Sequence, residues 1–419
     1  MDIEKITASL KNASSELALQ TASQKNEGLL SVSDSIEKNR KIILEANALD
    51  VKNARERGMS ESLVERLSLD DKKIDSIIDS FKLIISQTDP VGEEISGWKT
   101  PAGMTIRQVR VPLGVVAIIY ESRPNVTADA FALAYKSGNA ILLRGSSSAI
   151  NSNLVLEKAI KQGLKNAENG VEEAISLAPC KSHEEVEQIL TAVGKVDVAL
   201  PRGGAKLINM VVQTAKVPVI QTGAGICHLY VDESANLEMA LNLAWNAKTQ
   251  RPGACNAIET IVVNEKILNQ FIPRLVEKFA GKVELRLDEK SYNFVQNVKN
   301  SAKIKKAADE DFGFEFLDFI CSVKTVSTLD EAIGFINSHN TKHSECIVTN
   351  NRQNSRIFQS KIDAACVYVN ASTRFTDGGE FGFGAELGIS TQKLHARGPM
   401  GIKDLTTTKY LIDGDGQIR

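Results

Sequence analysis

The first 89 residues carry apolar side chains at the spacing of amphipathic helices. One such stripe runs through Ile74, Ile77 and Phe81, and this spacing places the three side chains on one helix face. The segment contains no proline and only two glycines, so little in it interrupts a helix. Pro90 ends the pattern. We therefore predict a layer of long helices over residues 1–89.

Two later segments have the pattern of strands outside a main sheet. Residues 95–112 alternate apolar and polar side chains around Pro101 and Gly103, which predicts a β-hairpin. The run TTTKYLI at 406–412 follows a glycine-rich loop at 377–388 and is expected to be an isolated strand. A strand without a partner in its own chain often pairs with another subunit. We therefore expect a homo-oligomer.

The middle of the chain alternates buried strands with single helices. Apolar runs at 114–120 and 140–144 flank a helical pattern near 127–137, and two further strand-like runs follow at 196–200 and 217–220. Strands joined by single helices build a parallel, doubly wound sheet, and such sheets bind ligands at the carboxyl ends of their strands. The fold class is therefore predicted to be α/β.

Polar and glycine residues lie where these strands are predicted to end, among them Asn125 and Arg144. The chain has neither a G-x-G-x-x-G turn after a strand nor a P-loop, so a dinucleotide would bind without the usual pyrophosphate fingerprint. The Arg144 guanidinium suits a ribose 2′-phosphate. An ordinary surface arginine is the alternative, and these residues alone do not decide between them.

A second α/β segment begins near Cys255. A helix with an apolar face over 237–248 leads into Pro252 and Gly253, and a strand-like run follows at 257–263, so the cysteine is predicted to lie on a turn. Nearby backbone amides and the Arg251 charge favour a reactive thiolate. Most cysteines are small buried hydrophobes, and the local pattern leaves both interpretations open.

The other cysteines and histidines are expected to be structural or at the surface. Cys227 lies in a strand-like run, and no triad order is evident among the histidines. This expectation applies to Cys180, Cys321, Cys346 and Cys366, and to four of the five histidines, His228, His339, His343 and His395.

Composition narrows the class of protein. Of the 419 residues, 42% are hydrophobic and 24% charged, with a net charge of −2, as in soluble globular proteins. No basic block predicts nucleic-acid binding, and the most apolar run, at 114–120, is too short to span a bilayer. The six cysteines show no C-x-x-C spacing, so neither a metal site nor a disulfide framework is expected. These features favour a cytoplasmic protein.

Four strings together resemble one family. They are GVVAIIYESRPNVTADAFALAYKSGNAILLRGSSSAINSN, VALPRGGAKLI, TQRPGACNAIETIVVN and FGFGAELGISTQKLHARGPMG. In this order they resemble the gamma-glutamyl phosphate reductases, also called glutamate-5-semialdehyde dehydrogenases, the acyl-phosphate-reducing branch of the aldehyde dehydrogenase superfamily. The resemblance extends from about residue 10 to the end. The segments around Cys255 and over 381–401 are its most specific parts.

The resemblance implies an aldehyde dehydrogenase-like fold in three segments. Residues 1–235 would form the doubly wound, dinucleotide-binding domain, with the hairpin at 95–112 contributing to oligomerisation. Residues 236–370 would form the α/β catalytic domain. Residues 371–419 would return to the cofactor domain and supply a small β oligomerisation element.

The resemblance assigns catalysis to two residues. Cys255 matches the family's nucleophile, and Asn125 matches the asparagine whose amide joins the cysteine N–H in the oxyanion hole. Three arginines, Arg251, Arg374 and Arg397, become candidates for holding the phosphate or the α-carboxylate of the substrate, and the sequence does not rank them.

The cofactor-binding residues implied by the resemblance fall into three groups, at the adenosine ribose, the pyrophosphate and the nicotinamide. In that order they are Arg144, Gly145 and Ser146; Arg202, Gly203 and Gly204; and Thr222 and Gly223. Glu315 would hold the nicotinamide ribose, with Asp318 as the alternative.

One position departs from the wider superfamily. Hydrolytic aldehyde dehydrogenases carry a general-base glutamate in the segment that matches VIQTGAGI, where this chain has Gln221. A carboxylate there activates water against a thioester, and an enzyme that exchanges its thioester with phosphate does not need it. Gln221 therefore points to acyl-phosphate chemistry.

The resemblance thus implies NADPH-dependent reduction of L-glutamate 5-phosphate to the 5-semialdehyde, with phosphate release, as the second step from glutamate to proline. Coupling to glutamate 5-kinase is a further expectation. The alternatives are an acylating aldehyde dehydrogenase that uses coenzyme A, and a non-catalytic member of the fold. The presence of both Cys255 and Asn125 argues against the latter.

Overall fold

The computed structural model describes residues 2–179, 182–295 and 303–419. Contacts divide the chain into two compact units. The first unit is Met1–Thr222, Gly382–Gly388 and Met400–Arg419, and the second unit is Gly223–Phe381 and Ile389–Pro399. Cys180, for which the sequence predicts an ordinary buried thiol, lies outside the described residues.

The helices are α1 (Ile3–Leu17), α2 (Ala22–Lys38), α3 (Arg40–Glu56), α4 (Glu61–Leu67), α5 (Asp71–Ser86), α6 (Asn125–Lys136), α7 (Ile150–Asn166), α8 (His183–Leu190), α9 (Ala205–Thr214), α10 (Leu237–Thr249), α11 (Leu268–Phe279), α12 (Glu289–Asn293), α13 (Leu329–His339) and α14 (Arg352–Lys361). The strands are β1 (Glu94–Lys99), β2 (Thr105–Pro112), β3 (Val115–Tyr120), β4 (Ala140–Arg144), β5 (Ile175–Leu177), β6 (Val198–Arg202), β7 (Cys227–Val231), β8 (Ile258–Asn264), β9 (Glu284–Leu287), β10 (Ile304–Lys306), β11 (Ile320–Val326), β12 (Ser344–Val348), β13 (Cys366–Val369), β14 (Ile389–Ser390), β15 (Gly398–Pro399) and β16 (Thr406–Asp413).

Helices α1 to α5 form the predicted N-terminal layer of the first unit. Capping residues divide it into separate helices: the Thr21 hydroxyl accepts from the Gln24 N–H, and the Gln24 side chain accepts from the Thr21 N–H, a capping box that starts α2. Helices α2 and α3 pack on α7, and Leu29, Val32 and Ile36 of α2 are fully buried. The helical spacing of these apolar side chains therefore serves packing.

The main sheet of the first unit has the strand order β5-β4-β3-β6, and every pair in it is parallel. This confirms the α/β prediction. All six residues of β3 are buried, which is why its sequence is a continuous apolar run. The strand predicted at 217–220 is wrong, since only Val219 makes a bridge, to Ala199. The short strand β5 was not predicted.

The first unit also contains a three-stranded sheet in the order β1-β2-β16. The predicted hairpin is present as the antiparallel pair β1 and β2. The expectation of an isolated strand at 406–412 is wrong, because β16 pairs antiparallel with β2 from Thr406 opposite Pro112 to Asp413 opposite Thr105. Its partner is distant in sequence, so local pattern could not reveal it.

The second unit is built on a parallel seven-stranded sheet in the order β10-β9-β11-β8-β7-β12-β13. Its central strands β7 and β8 are buried along their whole length. Because β7 belongs to this sheet, the unit begins at Gly223, upstream of the boundary expected at 235/236. The tail expected as one segment from 371 is shared between the units, since 371–381 and 389–399 belong to the second unit and the rest of it to the first.

Across the described residues, no helix combines the length and apolar character that a bilayer crossing requires.

Candidate active site

Cys255 lies on the predicted turn, in the second unit, between α10 and β8. The turn closes on itself: the Ala254 N–H donates to the Arg251 carbonyl at 3.1 Å, and the Ala257 N–H donates to the Ala254 carbonyl at 3.0 Å. The Cys255 side chain is half-buried, whereas the other described cysteines are buried. Cys255 is therefore the most accessible of the described cysteines.

The backbone of Cys255 is held from one side by the segment that precedes β7. The Cys227 thiol donates to the Cys255 carbonyl oxygen at 3.3 Å. Gly225 lies so close that a Cβ added to it would be 1.5 Å from the same oxygen. The Gly225 N–H in turn donates to Glu315 Oε1 at 2.7 Å. Glu315 is thereby fixed close to the cysteine turn, whereas Asp318 is exposed and caps the N–H of Phe319.

Asn256 anchors the turn from the other side. Its side-chain amide donates to the Thr376 carbonyl at 3.0 Å, and its carbonyl accepts from the Thr373 hydroxyl at 2.7 Å. These contacts hold the residues that flank the nucleophile candidate, so the thiol is presented by a fixed backbone. Such pre-organisation is what a positioned nucleophile requires.

Two of the three candidate arginines lie in the electrostatic surroundings of Cys255. The half-buried Arg374 donates from Nε to Gln250 Oε1 at 2.9 Å. Burial lowers the pKa of Arg374, the neighbouring Arg251 charge lowers it further, and the charges of Cys255 and Asp377 oppose both. Arg251 and Arg374 therefore create a cationic surrounding that suits a thiolate or an anionic substrate.

Arg397 has a different environment. Its guanidinium donates to Asp363 Oδ1 at 2.7 Å, and Lys342 and Lys393 contact the other oxygen of that carboxylate at 3.0 Å each. These three cations hold the pKa of Asp363 well below its ordinary value. Arg397 therefore shares one carboxylate with two lysines, and the cluster carries more positive than negative charge.

The sequence interpretation missed one buried ion pair, whose two partners lie on either side of the cysteine turn. Lys248 Nζ lies 2.5 Å from Glu259 Oε2, and both side chains are essentially inaccessible to solvent. Burial raises the pKa of Glu259 to about 7 against the attraction of Lys248. A lysine on the apolar face of α10 and a glutamate inside the apolar run of β8 were the available signals, because unpaired charges are costly at such positions.

Asn125, in the first unit, is the first residue of α6. Its side-chain nitrogen donates to Asp129 Oδ2, one helical turn later, at 3.0 Å. Burial raises the pKa of Asp129 to about 6, and the Asn125 hydrogen bond and the Arg202 charge oppose this rise. The sequence interpretation also missed Asp129, although the i, i+4 spacing from Asn125 is visible in the chain.

The predicted ribose group lies at the end of β4. Arg144 donates to the carbonyls of Gly145 at 3.0 Å and Ser182 at 3.3 Å, and its buried Nε has no hydrogen-bond partner among the described residues. Ser146 caps the following turn by accepting from the Ser148 N–H. A Cβ at Gly145 would lie 2.3 Å from Asn153 Nδ2, so packing requires this glycine. The unused donor on Arg144 fits a phosphate oxygen.

The predicted pyrophosphate turn precedes α9. The Gly204 N–H donates to Glu121 Oε2 at 3.0 Å, so an anionic oxygen already occupies the start of this helix, as a phosphate would. A Cβ at Gly203 would come within 2.6 Å of the Glu121 carboxyl carbon. The Arg202 side chain lies instead against Gly388, with Nη1 2.5 Å from where a Cβ would stand.

Thr222 and Gly223, the two residues predicted to lie near the nicotinamide, make contacts within the protein. The buried Thr222 hydroxyl donates to the Pro201 carbonyl at 2.7 Å. A Cβ at Gly223 would lie 2.7 Å from Thr391 Oγ1.

Two of the histidines are buried in the second unit. His228 Nδ1 lies 3.0 Å from Glu345 Oε2, and His343 Nδ1 lies 2.8 Å from Ser344 Oγ. The part of the chain that the structure describes contains no group of three or more His, Cys, Asp or Glu placed to hold a metal ion.

Comparison with known proteins defines the class first. The model of the aldehyde dehydrogenase family matches residues 1–308, which is more than half of the chain. An engineered glycolyl-CoA reductase with bound NADP+ has the same fold at 18% identity, with a TM-score of 0.69 over 98% of this chain and 96% of that one. The fold is therefore that of the aldehyde dehydrogenases.

Closer relatives define the branch. A gamma-glutamyl phosphate reductase from Clostridium botulinum (strain Eklund 17B / Type B) is 49% identical over 98% of this chain and 97% of its own length. The crystal structure of a gamma-glutamyl phosphate reductase from Thermotoga maritima superimposes with a TM-score of 0.96 at 46% identity, covering 100% of both chains. This chain belongs to the gamma-glutamyl phosphate reductases, a family of oxidoreductases.

Proposed function

We propose that this protein reduces L-glutamate 5-phosphate to L-glutamate 5-semialdehyde with NADPH and releases phosphate, in the route from glutamate to proline. The observation that carries the proposal is the half-buried Cys255 on a turn fixed by Gly225, Cys227 and Asn256. Membership of the gamma-glutamyl phosphate reductases supports the choice of substrate.

In the proposed mechanism, the Cys255 thiolate attacks the acyl carbon of the substrate. A sulfur–carbon bond forms, the acyl carbon–oxygen bond breaks, and its electron pair leaves with phosphate. Arg251 and Arg374 favour the thiolate and stabilise the departing phosphate. The Cys255 N–H and the Asn125 amide, the latter assigned from the family resemblance, stabilise the oxyanion.

When bound, the nicotinamide supplies the hydride that reduces the thioester. We assign Arg144 and the Gly204 amide to the phosphates of the dinucleotide. Arg144 has an unused buried donor, and the Gly204 amide already binds a carboxylate. Gly145, Ser146 and Gly203 shape these two turns. Glu315 is assigned to the nicotinamide ribose in preference to Asp318, because it is fixed near the cysteine turn. The Cys255 thiol is regenerated when the semialdehyde leaves.

The thioester is proposed to be protected from hydrolysis by the absence of a base. Position 221 carries an amide rather than a carboxylate, and an amide does not accept a proton from water at neutral pH. We further propose a cytoplasmic homo-oligomer that works with glutamate 5-kinase, the enzyme class that forms the acyl phosphate.

Phosphate dependence tests the reaction. The purified protein, given L-glutamate 5-semialdehyde and NADP+, is expected to form NADPH when phosphate is present and to stop when it is omitted. Activity without phosphate would identify a hydrolytic aldehyde dehydrogenase. Activity restored by coenzyme A in place of phosphate would identify an acylating one.

Replacing the nucleophile tests its role in the same assay. Cys255→Ser is expected to lower kcat on the order of 1,000-fold or more, because a serine hydroxyl is not ionised at neutral pH. Cys366→Ser, the same change at a buried cysteine on β13, should keep its turnover. Substantial turnover by Cys255→Ser would remove this residue from the mechanism.

A further inference from the structure

The first unit contains a small pocket at the start of α6. Its volume is about 60 Å³, and its polar lining comes from Arg123, Asn125, Asp129, Arg202 and Glu386. This is room for a few water-sized groups, which excludes a nucleotide and suits one end of a small ligand. Apolar residues of β3, α6, β6 and the segment 382–388 complete the walls.

Asp129 is incompletely satisfied in this pocket. Its Oδ2 accepts from Asn125, but its Oδ1 is inaccessible to solvent and has no hydrogen-bond partner among the residues that the structure describes. A buried carboxylate oxygen without a donor is costly. A ligand that brings a donor, and above all a positively charged donor, would remove this cost.

The charges around the pocket are balanced between the two signs. Two arginines, Arg123 and Arg202, and two acidic residues, Asp129 and Glu386, are among the residues that line it. A phosphate would be repelled by the two acidic residues, and a simple cation would be repelled by the two arginines. A ligand that carries one ammonium and one carboxylate group on the same carbon matches both signs.

We propose that this pocket binds the α-amino acid end of the substrate, with Asp129 accepting a hydrogen bond from the α-ammonium group and an arginine of the pocket binding the α-carboxylate. The proposal rests on the proposed function, because L-glutamate 5-phosphate carries such an end. Asp129 would then be the residue that selects an α-amino acid over the corresponding simple diacid derivative.

A purely structural role for Asp129 would be to orient the Asn125 amide. That role predicts an equal loss of rate for every aldehyde, since orientation of the oxyanion donor does not depend on the far end of the substrate. Recognition of the ammonium group predicts a loss only for substrates that carry one. The two roles therefore separate in a comparison of substrates.

The experiment compares L-glutamate 5-semialdehyde with 5-oxopentanoate, which lacks the α-amino group, in the phosphate-dependent assay. The intact protein is expected to favour the amino substrate in kcat/KM on the order of 10- to 100-fold, the value of a hydrogen bond to a charged group. In Asp129→Asn this ratio should fall towards one, through a higher KM for the amino substrate. Asp79→Asn, the same change on an exposed helix face, should keep the ratio.

The outcomes are distinguishable from failure of the proposed function. If the intact protein shows no phosphate-dependent activity with either aldehyde, the proposed function fails. If it is active but Asp129→Asn slows both aldehydes equally, the ammonium site is refuted. Inhibition of the intact protein by L-glutamate and by glutarate needs no variant, and equally strong inhibition by the two would also overturn the proposal.

Discussion

Burial sets the charge state of single residues in the second unit. His343 is fully buried, and burial lowers its pKa from 6.5 to about 4. In the unfolded chain the same imidazole takes up a proton at about 6.5. The folded state therefore binds fewer protons between these two values, and its stability rises with pH in that window.

We expect the free energy of unfolding to decrease as the pH falls from about 6.5 to 4, by up to about 3 kcal/mol from His343. Above pH 6.5 both states carry a neutral imidazole, so the contribution is then complete. Denaturant titrations across this range measure it. In His343→Asn this part of the slope should vanish, whereas in His395→Asn, at an exposed position, it should persist. An unchanged slope in His343→Asn would contradict the assignment.

At the scale of elements, the connection from α10 to β8 shows how packing fixes a functional turn. Its two ends are joined by the Lys248–Glu259 pair, and its centre is pressed against Gly225. Breaking a buried pair by removing one partner leaves an uncompensated charge. The turn is therefore restrained at both ends, by a pair that is costly to break, and at its centre, by the close approach of Gly225.

Gly225→Ala is expected to lower kcat about 100-fold, because the added Cβ would overlap the Cys255 carbonyl oxygen and displace the nucleophile. Steady-state kinetics and a thermal melt check this result. Gly334→Ala is the matched control. It lies in α13 with no atom within 4 Å of the new Cβ, so it should keep turnover and gain about 1 kcal/mol in stability. A Gly225→Ala enzyme with unchanged kcat would show that this contact is not needed.

The elements that the sequence predicted are those whose pattern is local. The periodicity through Ile74 and Phe81 and the buried run of β3 both reflect packing within one short segment. The run at 217–220 was predicted to be a strand because four apolar residues in a row fit a full strand as well as a single bridge, which is what Val219 forms. The resemblance, rather than local chemistry, singled out Cys255. Asp129 remained hidden because its importance depends on a pocket formed by segments far apart in sequence.

At the scale of the whole molecule, the sheet β1-β2-β16 has an exposed apolar face. Trp98 and Tyr410 make an edge-to-face contact on it, and Tyr410 and Ile412 are 56% and 57% exposed. Exposed apolar patches on small sheets often mark protein interfaces. The expected homo-oligomer would use this face.

We expect the protein to elute as a particle larger than its 45.6 kDa chain, and the double variant Tyr410→Asp, Ile412→Asp to elute as a monomer, because buried carboxylates disfavour the interface. Light scattering after size exclusion measures both. Leu19→Asp, a similar change at an exposed site outside this sheet, should leave the mass unchanged. A double variant of unchanged mass would place the interface elsewhere.

The same small sheet has a consequence for synthesis of the chain. Arg107 of β2 and its neighbour Asp413 on β16 are 306 positions apart. At translation rates of about 5–20 residues per second, β2 waits roughly 15 to 60 s for this partner. During that interval one edge of the hairpin has unpaired N–H and C=O groups, which a neighbouring nascent chain can pair with. The speed of the ribosome thus sets how long this chain is exposed to mispairing.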